Sequence, residues 1–192
     1  MKNINIFISM LVLVSLCLIG CNKKDDDCSL ESCPAWDAFS SQASLNSSTQ
    51  WEAQRCWAAE LNSGKSIIQL AYYNQFGELR EKIRIRDFDL RLDTIPLTAA
   101  WGIWTSDFYE PTAHFNTYAA DGDAATEYYD LYNKEGFKNY LKINRISADT
   151  SEIEGEYQLF FVISPNSPSK FDESRPDTLI FTNGTFAARS IR

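Results

Sequence analysis

The segment Ile67–Phe88, IIQLAYYNQFGELREKIRIRDF, decides the fold. Its first part, Ile67 to Tyr73, is apolar on both faces, the composition of a strand flanked by neighbours on either side. Asn74-Gln75-Phe76-Gly77 then predicts a four-residue hairpin loop with Gly77 in the left-handed position. The return run alternates, with Ile83 and Ile85 on one face and Arg80, Lys82, Arg84 and Arg86 on the other, the period of a half-buried strand. Phe88, Leu90 and Leu92 have the opposite parity. One extra residue near Arg86-Asp87 must therefore re-aim the side chains, and a β-bulge supplies it.

Outward from this hairpin the pattern persists. Asn62-Ser63-Gly64-Lys65 makes a turn, and Gln50 to Leu61 suits a helix or a strand about equally well. Downstream, Thr112 to Tyr118 reads as a strand and Asp121-Gly122-Asp123 as a turn. Tyr132-Asn133-Lys134-Glu135-Gly136 and Leu141 to Ile146 repeat the turn, the alternation and the parity change of the first hairpin; duplication and chance similarity both account for this, since turn chemistry alone favours Asn and Gly there. Ile153 to Ser164 is expected to be the longest strand, Pro165 to Pro176 a mobile loop. Asn183-Gly184, between Thr178–Thr182 and Thr185–Ala188, predicts a closing hairpin. With 12 Phe, 9 Tyr and 5 Trp, the expectation is an all-β fold, an antiparallel β-sandwich or lipocalin-like barrel of about 9 to 10 strands.

The N-terminus carries a different signal. Lys2 precedes an apolar run from Ile4 to Ile19 that Asn22-Lys23-Lys24 cuts off, too short to span a bilayer core of about 20 apolar residues and typical of a secretory signal. The run ends in Leu18-Ile19-Gly20-Cys21, which resembles the lipobox of bacterial lipoproteins. That resemblance implies cleavage before Cys21 and acylation of its thiol and new amine, so that several fatty chains hold the protein at a membrane. Lys24-Asp25-Asp26-Asp27 is similar to the short signal that sends some Bacteroidetes-type lipoproteins to the outer face of the outer membrane; a solvated tether is the competing account. The expected organisation is a signal peptide over 1–20, a flexible tether over 21–35 and one β-domain over 36–192, a length that buries most of its apolar surface.

Loss of Lys2 with the signal leaves 17 basic residues of the original 18 against 26 acidic ones, a net of −9. Such a surface argues against nucleic acid as a partner. Of the five cysteines, Cys17 leaves with the signal and Cys21 takes lipid. Cys28, Cys33 and Cys56 can then form one disulfide in any of three pairings; closing Cys33 to Cys56 would contribute ~3 kcal/mol by loop entropy.

The C-terminal third, Gly155-Glu156-Tyr157-Gln158-Leu159-Phe160 followed by Ile180-Phe181-Thr182-Asn183-Gly184-Thr185-Phe186, resembles the end of a family of Bacteroidetes-type lipoproteins. Leu45-Asn46 and Trp57-Ala58-Ala59 are similar to that family's opening strands. The likeness covers roughly Phe39 to Arg189; it implies an antiparallel β-domain at the outer membrane and carries no activity with it.

Residues capable of chemistry are sparse. His114 is the sole histidine, so a Ser-His-Asp or Cys-His site could be built only around it. There is no Gly-x-Ser-x-Gly, phosphate-cradling glycine loop or His-Glu-x-x-His. No cofactor is implied, and neither the cysteine spacing nor the acidic group fits a zinc or calcium pattern. Asp121, Asp123, Glu127 and Asp130 are close enough in sequence to suggest a carboxylate-based hydrolase, which would need two of them across a cleft. Trp101, Trp104, Phe108 and Tyr109 could form a platform for stacked sugar rings, although core packing is the commoner use of such residues. The expectation is a non-enzymatic binding or adaptor module, lipid-anchored and exposed at the cell surface, with a glycan or an envelope protein as candidate partner. A carrier of a small apolar ligand, with a cavity of roughly 300 Å³ or more, is the first alternative and the hydrolase the second.

Overall fold

Period-two alternation over most of the chain leads to strands throughout. The computed structural model describes residues 39–99, 110–168 and 170–191, and among these there is no helix. The strands, all within the unit Ala35–Arg192, are β1 (Ser41–Leu45), β2 (Thr49–Ala53), β3 (Arg55–Glu60), β4 (Ser66–Tyr73), β5 (Leu79–Phe88), β6 (Thr94–Pro96), β7 (Thr112–Tyr118), β8 (Ala125–Leu131), β9 (Tyr140–Ile146), β10 (Glu152–Ile163) and β11 (Thr178–Ile191). Among the described residues they number eleven, more than expected, because Gln54 divides β2 from β3 and β6 is only three residues long.

The hydrogen-bonded pairs close into a ring. Strands β3, β4, β5, β7, β8, β10 and β11 follow one another antiparallel, and β11 returns to β3. That last junction is parallel, Arg189–Ile191 against Trp57–Ala59, so the sheet is mixed rather than purely antiparallel. Closure leaves the ring itself without a free edge, and the sheet's open edges fall on the short flanking strands β2 and β6. Strands β10 and β11 are longer than any one neighbour and carry extra partners: β10 pairs with β9 over Ile153–Gln158 and with β8 over Phe161–Ile163. Likewise β11 holds the β1–β2 hairpin alongside its first half. The short β6, ending in Pro96, finishes the far side of β9.

Inward residues fill the ring. Ile68, Leu70, Ile83, Ile85, Phe115, Tyr129, Leu131, Phe161 and Phe181 are fully buried. Phe115 packs against Tyr129, Phe161 and Phe181 with ring centroids 5.6, 6.2 and 5.6 Å apart. Each such side chain contributes about 1.5–3 kcal/mol on leaving water. The hydroxyl of the fully buried Tyr157 is hydrogen-bonded to Ser41 Oγ at 2.9 Å.

Three of the bulges set the core register. Asp87, at φ 65°, is the extra residue between the pairs Ile67–Arg86 and Ser66–Phe88, and it turns Phe88 into the core as the parity requires. Asn144 does the same on β9, where Glu154 opposes Arg145 but Gly155 opposes Ile143. The third corrects an expectation: Asn183-Gly184 is not a hairpin turn but part of the continuous fourteen-residue β11, which is longer than β10. Asn183, at φ 53°, is accommodated where Tyr157 pairs with Gly184 but Leu159 pairs with Phe181. The left-handed preference of Asn serves a bulge as well as a type I′ turn.

One open reading is decided and one further expectation changes. Gln50 to Leu61 is strand, interrupted at Gln54, whose side chain accepts from Tyr73 N at 2.9 Å and patches the broken ladder. The repeat at Tyr132–Ile146 shares the left-handed glycine, Gly136 at φ 77° beside Gly77 at φ 78°, but it is no hairpin. Strands β8 and β9 do not pair with each other; both run along the same edge of β10, with 132–139 looped out between them. Asn139 holds that junction, donating to Tyr132 O and accepting from Phe160 N.

Candidate functional site

On the outer face of β2, β1, β11, β10 and β9 the register aligns Glu52, Gln42, Thr185, Glu156 and Lys142 in one row across five strands. Two adjoining grooves of about 340 and 350 Å³ lie along it and share Gln42 and Thr185. One is walled by Ser44, Ser47, Gln50 and Asn183, the other by Asn144, Glu154 and Glu156. The charged members are engaged: Asn144 Nδ2 donates to Glu156 at 2.7 Å, and Arg145 binds Glu152 and Glu154. Among the described residues the side chains of Gln42, Ser44, Asn183 and Thr185 make no hydrogen bond. The first groove is thus uncharged, rich in unused donors and acceptors, and free of aromatic rings.

A second polar constellation sits at one end of the barrel interior. Glu81 and Glu127 lie in phase with the inward isoleucines and tyrosine of their strands, and Glu127 is 1% exposed. Arg175, from the β10–β11 connection, donates to Glu81 Oε1 at 2.8 Å and lies 3.4 Å from Glu127 Oε2. Trp51 Nε1 donates to Glu81 Oε2 at 2.7 Å, Thr117 Oγ1 to Glu127 Oε2 at 3.3 Å. Glu127 Oε1 accepts from the backbone N–H groups of Phe171 and Asp172, and the Tyr129 hydroxyl donates to Pro176 O. The expected mobile loop is therefore a strap pinned across the barrel mouth. All four carboxylate oxygens of Glu81 and Glu127 have hydrogen-bond partners within the chain.

The remaining acidic candidates are dispersed. Asp121 and Asp123 are exposed on the β7–β8 turn. Glu127 and Asp130, three apart on β8, face opposite sides of the sheet because side chains alternate along a strand. Among the described residues no three His, Cys, Asp or Glu side chains gather as a metal site would require. On the outward face of β7, His114 Nδ1 lies 3.5 Å from Asp130 Oδ1, and His114 Nε2 has no hydrogen-bond partner among the described residues.

Several sequence candidates lie outside the described residues: the lipidation residue Cys21, the export signal Lys24, Asp25, Asp26 and Asp27, the aromatic set Trp101, Trp104, Phe108 and Tyr109, and Cys28 with Cys33. Cys56 is described, and it is a fully buried free thiol. The groove was not anticipated, because no motif encodes it; it arises from strands far apart in sequence. Glu81 and Glu127 did leave a trace, an acidic residue at a core-phase position of an alternating strand.

Comparison with protein-family models, curated proteins and solved structures finds no match to this chain. Its function must be argued from its own residues.

Proposed function

We propose that this chain is a lipid-anchored lipoprotein of the outer membrane, displayed at the cell surface, whose barrel binds an uncharged glycan in the groove along β1 and β11. The carrying observation is the run of unpaired amides and hydroxyls from Gln42 to Asn183 and Thr185 on a rigid sheet, the complement a hydroxyl-rich ligand needs. The lipobox at Leu18–Cys21 supports the anchor, and Lys24–Asp27 supports display. A carrier role is disfavoured by the aromatic side chains of Phe115, Tyr129, Phe161 and Phe181, which occupy the middle of the ring.

A glycan array probed with the full-length protein in detergent micelles tests the binding. Loss of signal in Gln42→Ala with Thr185→Ala supports the groove; loss in Trp101→Ala with Trp104→Ala instead would move the site to the aromatic platform, and a silent array would leave an adaptor for an envelope protein. For the anchor, Cys21→Ser should accumulate as unprocessed precursor in the inner membrane, and normal export of that variant would overturn the lipoprotein reading. Replacing Asp25, Asp26 and Asp27 by Ala should protect the membrane-bound protein from added protease. Undiminished cleavage would remove the surface assignment.

A further inference from the structure

The two grooves on the outer face share Gln42 and Thr185, which are cross-strand partners on β1 and β11. Side chains alternate along a strand, so Ser40, Gln42 and Ser44 project from this face while Ser41 and Ala43 are buried beneath it. On β11, Thr185 and Ala187 project and Phe186 is buried. Most of the projecting side chains on these two strands are short, whereas those flanking them are long: Gln50 and Glu52 on β2, Glu154 and Glu156 on β10. The result is a trough that runs lengthwise between two raised borders.

Its length follows from the backbone. Ser40 lies beside Ala187, whose N–H donates to Ser40 O at 2.9 Å, and Ser44 lies further along the same strand. At about 3.3 Å per residue the interval from Ser40 to Ser44 is about 13 Å, and Ser47 and Ser48 of the β1–β2 turn carry the trough further. A single sugar ring would fill a fraction of it. The two bulges add to the lining. Asn183 is the extra residue of β11 and lines the first groove; Asn144 is that of β9 and lines the second.

The two halves differ in chemistry. The first offers the amides of Gln42 and Asn183, which both donate and accept. The second offers the carboxylates of Glu154 and Glu156, and among the described residues no basic side chain lines either half. The Asn144 hydrogen bond and then the Lys142 charge lower the pKa of Glu156, and Arg145 lowers that of Glu154. Both are therefore anionic acceptors held in place, matched to hydroxyl donors and opposed to any anionic substituent. We infer that the two grooves act as one site for an unbranched, uncharged oligosaccharide of several units laid along β1 and β11, an assignment that rests on the glycan reading proposed above. A disaccharide takes the first half alone. The longer chain also donates hydroxyls to Glu154 and Glu156 in the second.

Full-length protein in micelles of a sugar-free detergent would be titrated calorimetrically with linear glucose, mannose, galactose and xylose oligomers, from the single sugar to the hexamer. In the series that binds, affinity should rise at least tenfold from disaccharide to tetramer. Ala187→Leu fills the floor of the second half; it should return the tetramer to the disaccharide's affinity and leave the disaccharide itself within about twofold. Ser40→Leu, at an exposed position beside Ala187, should do the same and serves as the reading if Ala187→Leu fails to fold. Gln42→Ala with Thr185→Ala, in the shared middle, should weaken every length. Equal affinity from disaccharide to hexamer, or tetramer binding unaltered in both leucine variants, would overturn the continuous trough while leaving a glycan site in the first groove. Binding of none of the four series would overturn the glycan reading and the trough together.

Discussion

The ring of Tyr157 lies against the backbone of Gly184, so close that a Cβ on residue 184 would fall 2.5 Å from Tyr157 Cε2. Tyr157 cannot withdraw, since it is fully buried and its hydroxyl is bonded to Ser41. Gly184→Ala should therefore cost about 1–3 kcal/mol, the usual range for overpacking a core. Chemical denaturation would measure it. The double variant with Tyr157→Leu should be less damaged than the two single losses added together, because the obstacle is the ring itself. Strict additivity would show that the strain lies elsewhere. Gly155→Ala should be worse, as its Cβ would meet the Lys142 carbonyl, and a backbone cannot rotate away.

Arg175 ties the β10–β11 strap to Glu81, 94 residues away in the chain. Its side chain is 22% exposed, so part of the ion-pair energy is screened, and Arg175→Gln should cost about 2 kcal/mol rather than the larger loss seen on breaking fully buried pairs. Most of that loss is local, because Glu127 still holds Phe171 and Asp172 by their N–H groups. Limited proteolysis between residues 165 and 177 should accelerate by roughly tenfold, since cleavage follows the population of the open strap. Unchanged cleavage would mean that Glu127 alone retains the segment.

Much of this architecture could be read in advance because a strand's parity is a strict constraint. Ile83, Ile85 and Phe88 cannot all face inward without an added residue, and Asp87 is that residue. Where local chemistry is ambiguous the sequence misleads. Asn183-Gly184 offers left-handed backbone, which suits a hairpin and a bulge equally, and only the length of β10 beside it decides for the bulge. Strands β8 and β9 look like a second hairpin for the same reason, although β10 holds them end to end. The groove depends on lateral register between β1 and β11, information that no single stretch of chain contains.

Cys56 is a free thiol at zero exposure, and burial pushes its pKa far above the ordinary thiol value. The thiolate is the reactive form. Iodoacetamide at pH 8 should therefore leave Cys56 untouched in the folded protein and modify it in concentrated urea without reductant. Trypsin cleavage after Arg55 and Lys65 releases the peptide Cys56–Lys65, on which mass spectrometry reads the adduct directly. Modification that requires prior reduction would place Cys56 in a disulfide and restore the pairing with Cys28 or Cys33.

The buried tyrosines make stability depend on alkaline pH. Burial raises the pKa of Tyr157 against a smaller opposing effect of the Ser41 bond; burial and then the Glu127 charge raise that of Tyr129. In the unfolded chain both ionise near pH 10. Below that pH neither state loses a proton and their contribution is complete. Above it the unfolded chain releases protons that the folded chain retains, so stability falls by up to about 1.4 kcal/mol per pH unit for each tyrosine. Tyr157→Phe should be less stable than the parent by about 1 kcal/mol at pH 8, because Ser41 loses its partner. Its decline above pH 10 should nevertheless be shallower, and the two curves should converge. Urea midpoints measured from pH 8 to 11 on both proteins test this, and parallel curves would mean that Tyr157 ionises in the folded state as freely as in the unfolded one.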